Sequence, residues 1–477
     1  MGEQSMRVGV AAITVAAVAL TLAGCTGKTT GETPPRAGTS PGFTPGAPGA
    51  GDPYFPTYGN GGYDVAGYDL KLKYDPASGR LQGTATVSAT ATQDLSSLNF
   101  DLAHLTTSRV TVDGQAATAK ADKNELVVTP AAGIAKGRAF TVVVEYGGVP
   151  KALVNPALGE GGWMRTKDGG FAVGQPESAS TWFPVNDHPR DKATLKLAMT
   201  VPDGVEAISN GVPGPRETAD GWTTWTWTEA KPMASYLATV VIGQYRVQST
   251  THAGKPMVVA VPESLPKDGP AAKSLALTGE VADFLATKFG PYPFDSYGGV
   301  VIDDPRVGFA LETQSRPVYG DVFFRSRPDA TVVAHELAHQ WYGDSVAITR
   351  WQDIWLNEGF ATYAEWLWQE HQGERTVEQS FERVYRGFNW EVPTGDPGAN
   401  RIFGDAVYQR GSMLVHALRR TIGDGPFFAL LQSWPTEHRD GNVTTEQFIA
   451  AAEKASGKDL DAFFQGWLLG KTQQPKP

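Results

Sequence analysis

The stretch 331–343, Thr-Val-Val-Ala-His-Glu-Leu-Ala-His-Gln-Trp-Tyr-Gly, constrains this chain more than any other. Its apolar residues recur at helical spacing, and Pro328 with Asp329 supplies a helix start. His335 and His339 stand four apart, so both imidazoles leave one face of the helix and can grip a single ion. Glu336 lies roughly 100° further round, where it reaches a water on that ion better than the ion itself. Two His ligands and a neighbouring general base form the arrangement of a zinc hydrolase. A purely structural helix can show the same spacing by chance, but the sequence that follows argues otherwise. A second helix begins at Trp355-Leu356-Asn357-Glu358-Gly359, and 18 residues separate His339 from Glu358. Catalytic zinc takes three protein ligands and keeps one position open. Glu358 would complete a His2Glu set.

The rest of the chain can carry such a site. Its 477 residues suggest two or three domains, and 41% apolar residues with 13 Trp can fill substantial cores. Net charge is −10 with no basic block, which argues against nucleic acid as a partner. Cys25 is the single cysteine, so an internal disulfide and a cysteine-built metal site are both excluded.

The first segment reads as targeting sequence. After Arg7 an apolar run from Val8 to Leu22 is short for a membrane span, and it ends in Leu22-Ala23-Gly24-Cys25. Residues 1–24 are expected to be a lipoprotein signal, because this ending resembles a bacterial lipobox, in which the Cys becomes the lipid-bearing first residue. An ordinary secretory signal with an incidental cysteine is the other reading, and either Met1 or Met6 can be the start. From 26 to 53, 13 of 28 positions are Pro or Gly, a composition that reads as a tether. The tether is therefore assigned to 25–53, holding the body at the extracytoplasmic face of a cell membrane.

Residues 54–250 read as an antiparallel β domain. Tyr68, Leu70, Leu72 and Tyr74 alternate with polar residues, as do Phe140, Val142, Val144, Tyr146 and Leu195, Leu197, Met199, Val201. Helical spacing dominates beyond 270, over about 271–288, 329–343, 353–371, 376–388, 407–422, 445–456 and 459–468. Thr444 and Gln447 form a candidate capping box, and Gly457 a helix stop. The second domain is assigned to 251–470 and a tail to 471–477. The fold class is α+β, multidomain.

Taken together these residues resemble the M1 family of zinc aminopeptidases, gluzincins built on a thermolysin-like catalytic domain, over about 52–470. His335-Glu336-Leu337-Ala338-His339 with Asn357-Glu358-Gly359 is similar to the family's zinc motif. Gly308-Phe309-Ala310-Leu311-Glu312, with Glu312 placed 23 positions before His335, resembles the Gly-x-Met-Glu-Asn exopeptidase strand, with Leu311 for Met and Thr313 for Asn. Gln175-Pro176-Glu177 is similar to the second amine-binding segment. Tyr408-Gln409-Arg410-Gly411 resembles the Tyr-x-Lys-Gly motif, with Arg410 for Lys.

The resemblance implies one zinc on His335, His339 and Glu358, with Glu336 as general base and Tyr408 stabilising the oxyanion. It further implies that Glu312 and Glu177 bind the free α-ammonium of a peptide, beside Gly308 and Ala310. Without it, Tyr408 reads more readily as a packing residue, and the other reading of Glu312 is an exposed loop carboxylate. Many family members carry a further helical-repeat domain over the cleft, so a more open cleft is expected here. A thermolysin-like endopeptidase and an inactive surface-binding lipoprotein remain as other readings. The other six histidines lack ligand spacing.

Overall fold

The computed structural model describes residues 42–477. Cys25, the signal and most of the expected tether lie outside the described residues. The described residues form one compact unit.

Its β-rich half is built on a nine-stranded sheet in which Tyr63–Asp75 pairs with Arg80–Ala91, and that strand with Ala139–Gly148. The three alternating runs read from the sequence are all present, and each sends its apolar residues inward. Leu70, Tyr74, Val142, Val144 and Met199 are fully buried. The sheet is not wholly antiparallel as expected, because Ala193–Pro202 runs parallel to Tyr63–Asp75. Parallel neighbours need a long crossover, and residues 76–192 supply it. Part of that crossover, Gly159–Arg165 and Gly170–Val173, joins Val240–Gly243 and Glu206–Ser209 in a second sheet.

The expected boundary at 250 cuts through a strand. Tyr245–His252 pairs along its length with Lys255–Pro262, which continues into Tyr297–Ile302, Val318–Gly320 and Ala310–Leu311. The mainly helical half thus begins with a five-stranded sheet of its own. Two of its strands, Tyr297–Ile302 and Val318–Gly320, are buried throughout, so no period-two pattern marks them. Beside this sheet lies α1 (Ala330–Ala338), α2 (Trp355–His371) packs on α1, and α3 (Gln409–Ile422) packs on α2. Asp329 caps α1 by accepting from Thr331 N at 2.8 Å, as its position before the apolar run predicts. The Thr444–Gln447 capping box and the left-handed Gly457 stop are also present.

Two expectations fail here for physical reasons. The helix Asp424–Glu437 went unread because Gly and Pro crowd its first turn and Pro435 sits inside it. Burial of Phe427, Leu430, Leu431 and Trp434 outweighs that poor local propensity. The tether assignment also runs too far. From residue 44 the chain is packed: Thr44–Pro45 pairs with Leu95–Ser97, and Asp52 is 1% exposed. The Asp52 carboxylate accepts from Trp351 N at 2.8 Å, Tyr54 N at 2.8 Å and Phe55 N at 3.0 Å, and its Oδ2 lies 3.2 Å from His188 Nε2. One side chain thereby fastens the entering segment to both halves.

Candidate metal centre

α1 presents His335 and His339 on one face, and α2 packs beside it with Glu358 in its first turn. Glu358 Oε2 lies 3.3 Å from Nε2 of each histidine. The two Nδ1 atoms are already engaged, His335 with Glu365 at 2.6 Å and His339 with the Tyr342 carbonyl at 3.0 Å. An Nδ1–H pointed at an oxygen leaves Nε2 as the bare donor atom, the tautomer a metal requires. Burial opposes charge on both rings, yet Glu358 and its acidic neighbours hold His335 well above 6.5 and His339 at about 9. Burial likewise works against ionised Glu358, but His339 and His335 hold it down at about 2. This pocket is built to stabilise positive charge, and its two imidazoles and carboxylate suit a zinc ion.

Glu336 is 4% exposed, and a carboxylate oxygen of it, one of Glu312 and a ring nitrogen of His339 lie within 4.8 Å of one another. Burial raises the Glu336 carboxyl to about 8, against the pull of the two histidines. Tyr408 immediately precedes α3, and its ring lies 6.0 Å from that of His335 at 17°. Burial, reinforced by the Glu358, Glu312 and Glu336 carboxylates, keeps the proton on its phenol.

These groups open on a cavity of about 420 Å³. Gly308 and Ala310 line it, and a side chain at Gly308 would meet nothing within 4 Å. Glu312 closes one end, 2% exposed. Gln175 Nε2 donates to its Oε1 at 2.6 Å and the Tyr236 hydroxyl at 2.9 Å, which leaves Oε2 to face a ligand.

The structure thus brings together His335, Glu336, His339, Glu358, Tyr408, Glu312, Gly308 and Ala310, but Glu177 is not among the residues lining this cavity. Burial with nearby Asp187 raises the Glu177 carboxyl to about 7, against the pull of the Tyr58 phenol. Gln175, two residues earlier in the same segment, takes the place beside Glu312. Sequence reasoning also missed Glu365 and Tyr236. Glu365 follows Glu358 by seven positions, two helical turns along the same face, and that spacing was available as a signal. No local pattern marks Tyr236, which reaches Glu312 only through the fold.

A buried metal-ligand triad with a carboxylate base beside it, opening on a cavity that Gln175 of the β-rich half also lines, has the make-up of a metallohydrolase site. The sequence matches the family described as "Peptidase M1 N-terminal domain" over residues 65–237, and "Peptidase family M1 domain" over 283–467. The chain belongs to the M1 peptidase family. It is similar to Aminopeptidase M1 of Arabidopsis thaliana, 28% identical over 62% of this chain and 36% of that protein. Against Aminopeptidase N of Streptomyces lividans it is 27% identical over 59% of this chain and 36% of that one. The chain therefore spans about a third of the length of these curated relatives. The M1 zinc metallopeptidase from Deinococcus radiodurans superposes with a TM-score of 0.83 at 28% identity, covering 90% of this chain and 98% of that one. A mutant of that enzyme bound to a Tyr-Ser-Ala substrate gives 0.82 at the same identity, over 90% and 99%.

Proposed function

We propose that this chain is a zinc-dependent aminopeptidase that removes residues one at a time from peptides with a free N-terminus. One observation carries the reading: Glu312, a buried carboxylate oriented by Gln175 and Tyr236, closes the cavity beside the metal triad. A cation bound there sits next to the bond being cut, and in a peptide that cation is the α-ammonium.

His335, His339 and Glu358 would hold the ion. Zinc in that position supplies Lewis acidity toward a carbonyl oxygen and toward water. Glu336 takes the proton from the attacking water and returns it to the departing amine, and its raised affinity for protons suits both transfers. Tyr408 keeps its O–H and donates it to the oxygen that gains charge. Glu312 fixes the α-ammonium, so the chain can enter the cavity only by its amino end. Relatives named aminopeptidases, and a structural neighbour solved with a tripeptide, support the same reading.

The test is digestion of a peptide followed by mass spectrometry, on protein whose zinc has been counted. Stepwise loss of single N-terminal residues, abolished by a chelator and restored by zinc, is expected. Cleavage at internal bonds would replace the reading with an endopeptidase.

For location, the lipobox-like Leu22-Ala23-Gly24-Cys25 after an apolar run supports lipid attachment at Cys25 and tethering at the outer face of a bacterial membrane. Cys25→Ser should move the protein from the membrane fraction to the soluble one. An unchanged membrane fraction would refute the anchor.

A further inference from the structure

Glu312 belongs to the helical half, yet both donors that orient its carboxylate, Gln175 and Tyr236, come from the β-rich half. Two segments from different halves must therefore keep a fixed relation, and one side chain ties them. Asn210 is 1% exposed and lies where the chain passes from the strand Glu206–Ser209 to Val212–Pro213, that is, from one sheet to the other. Its Nδ2 donates to the Leu237 carbonyl, next to Tyr236, at 2.9 Å. The same nitrogen donates to the Gln314 carbonyl, two residues beyond Glu312, also at 2.9 Å. Its Oδ1 accepts from Thr239 N at 2.8 Å. Every polar atom of this buried amide is satisfied, and its partners lie on the two segments in question.

Neighbouring contacts reinforce the tie. Gly211 N donates to Ser315 Oγ at 2.7 Å, and Arg316 Nη2 donates to the Gly211 carbonyl at 3.0 Å. Ser315 sits at φ 64°, a backbone conformation that a residue with a side chain adopts only when its surroundings hold it there. Ser315 N donates to Gln340 Oε1 at 2.6 Å, and Gln340 Nε2 donates to the Glu312 carbonyl at 3.1 Å. The turn that carries Glu312 is thus pinned to Gln340, just past the end of α1, on one side and to Asn210–Gly211 on the other.

We propose that Asn210 is a positioning residue for amine recognition, holding the Tyr236 segment and the Glu312 turn in register so that Glu312 meets the substrate's α-ammonium. The proposal rests on the aminopeptidase reading. Asn210 has no part in holding the metal or moving a proton. Its loss should weaken a contact made in ground state and transition state alike, raising KM more than it lowers kcat.

The experiment compares kcat and KM for a free dipeptide amide and its N-acetyl form in wild type, Asn210→Asp and Ser315→Ala. Asn210→Asp keeps the shape and removes both donors; Ser315→Ala removes the acceptor for Gly211 N and the hydroxyl's own donation to the Gln314 carbonyl, leaves Asn210 in place, and guards against a failure to fold. Each variant should keep its zinc and a kcat within about twofold, while KM for the free substrate rises on the order of tenfold in Asn210→Asp and severalfold in Ser315→Ala. In a Glu312→Ala background Asn210→Asp should add nothing further to the loss of free-over-acetyl preference. A folded Asn210→Asp protein with wild-type KM overturns the proposal, as does an equal further loss without Glu312. A wild type with no preference for the free amine would overturn the aminopeptidase reading itself. A wild type that shows the preference beside variants that keep it would overturn only the role of Asn210.

Discussion

The two ends of the cavity are built in opposite ways. The metal end comes from two packed helices of one half, and its three ligands lie within 24 positions of sequence. The amine end is assembled from Gln175, Tyr236 and Glu312, spread over 138 positions and both halves. Local helix geometry is enough to hold a metal. Reading a charged chain end needs a buried carboxylate whose orientation is fixed from several directions, because an unaimed buried charge costs more than it contributes. Damage to the metal end should therefore stop the chemistry, whereas damage to the amine end should change which substrate is accepted.

Glu336→Gln breaks the metal end most severely, since it keeps the shape and the ligands while removing the base. Zinc content should stay near one per chain and kcat should fall by about 10²–10⁴. Near-normal turnover in that variant would remove Glu336 from the mechanism. At the amine end, Gln175→Ala takes one donor from Glu312 and should cost the free-amine substrate about three- to tenfold in kcat/KM. Glu177→Ala should cost it less than about twofold, because Glu177 is not among the residues lining the cavity. The reverse order in steady-state kinetics would return Glu177 to the amine site.

The seam between the halves is tested through stability. Burial alone would raise the Asp52 carboxyl, but hydrogen bonds from His188 and from the backbone of Trp351, Phe55 and Tyr54 outweigh it and bring it down to about 2. A carboxyl whose folded value lies below its unfolded one contributes stability above the unfolded value. That contribution is lost as pH falls through the folded value. Asp52 should therefore contribute on the order of 2 kcal/mol above pH ~4, fading between about 4 and 2. Asp52→Ala should lower Tm by several degrees at pH 7, with the gap to wild type closing in acid. Thermal melts across that range measure it, and a constant gap would show that the effect is not carried by the charge.

The difference between the two ends also explains what could be read in the sequence. His335, His339 and Glu358 declare themselves through spacing on helices, and the three strands around Leu70, Val142 and Leu197 through alternation. Gln175 and Tyr236 carry no local pattern, because their roles exist only once the crossover brings both beside Glu312. The helix Asp424–Glu437 was hidden by Pro and Gly, whose local preferences burial overrode, and the same residue types hid the strand pairing of Thr44–Pro45 and the buried Asp52. Resemblance to a family pointed to Glu177 in the segment 175–177, whereas Gln175 is the residue of that segment that lines the cavity.

The central claim is that Glu312 reads the substrate's free amine independently of the metal chemistry. It is tested most directly by the ratio of kcat/KM for a free dipeptide amide to that for its N-acetyl form, in wild type and in Glu312→Ala. Wild type should favour the free form strongly, and Glu312→Ala should cut the ratio by about one to two decades with zinc fully retained. An unchanged ratio in a zinc-loaded Glu312→Ala protein would contradict it.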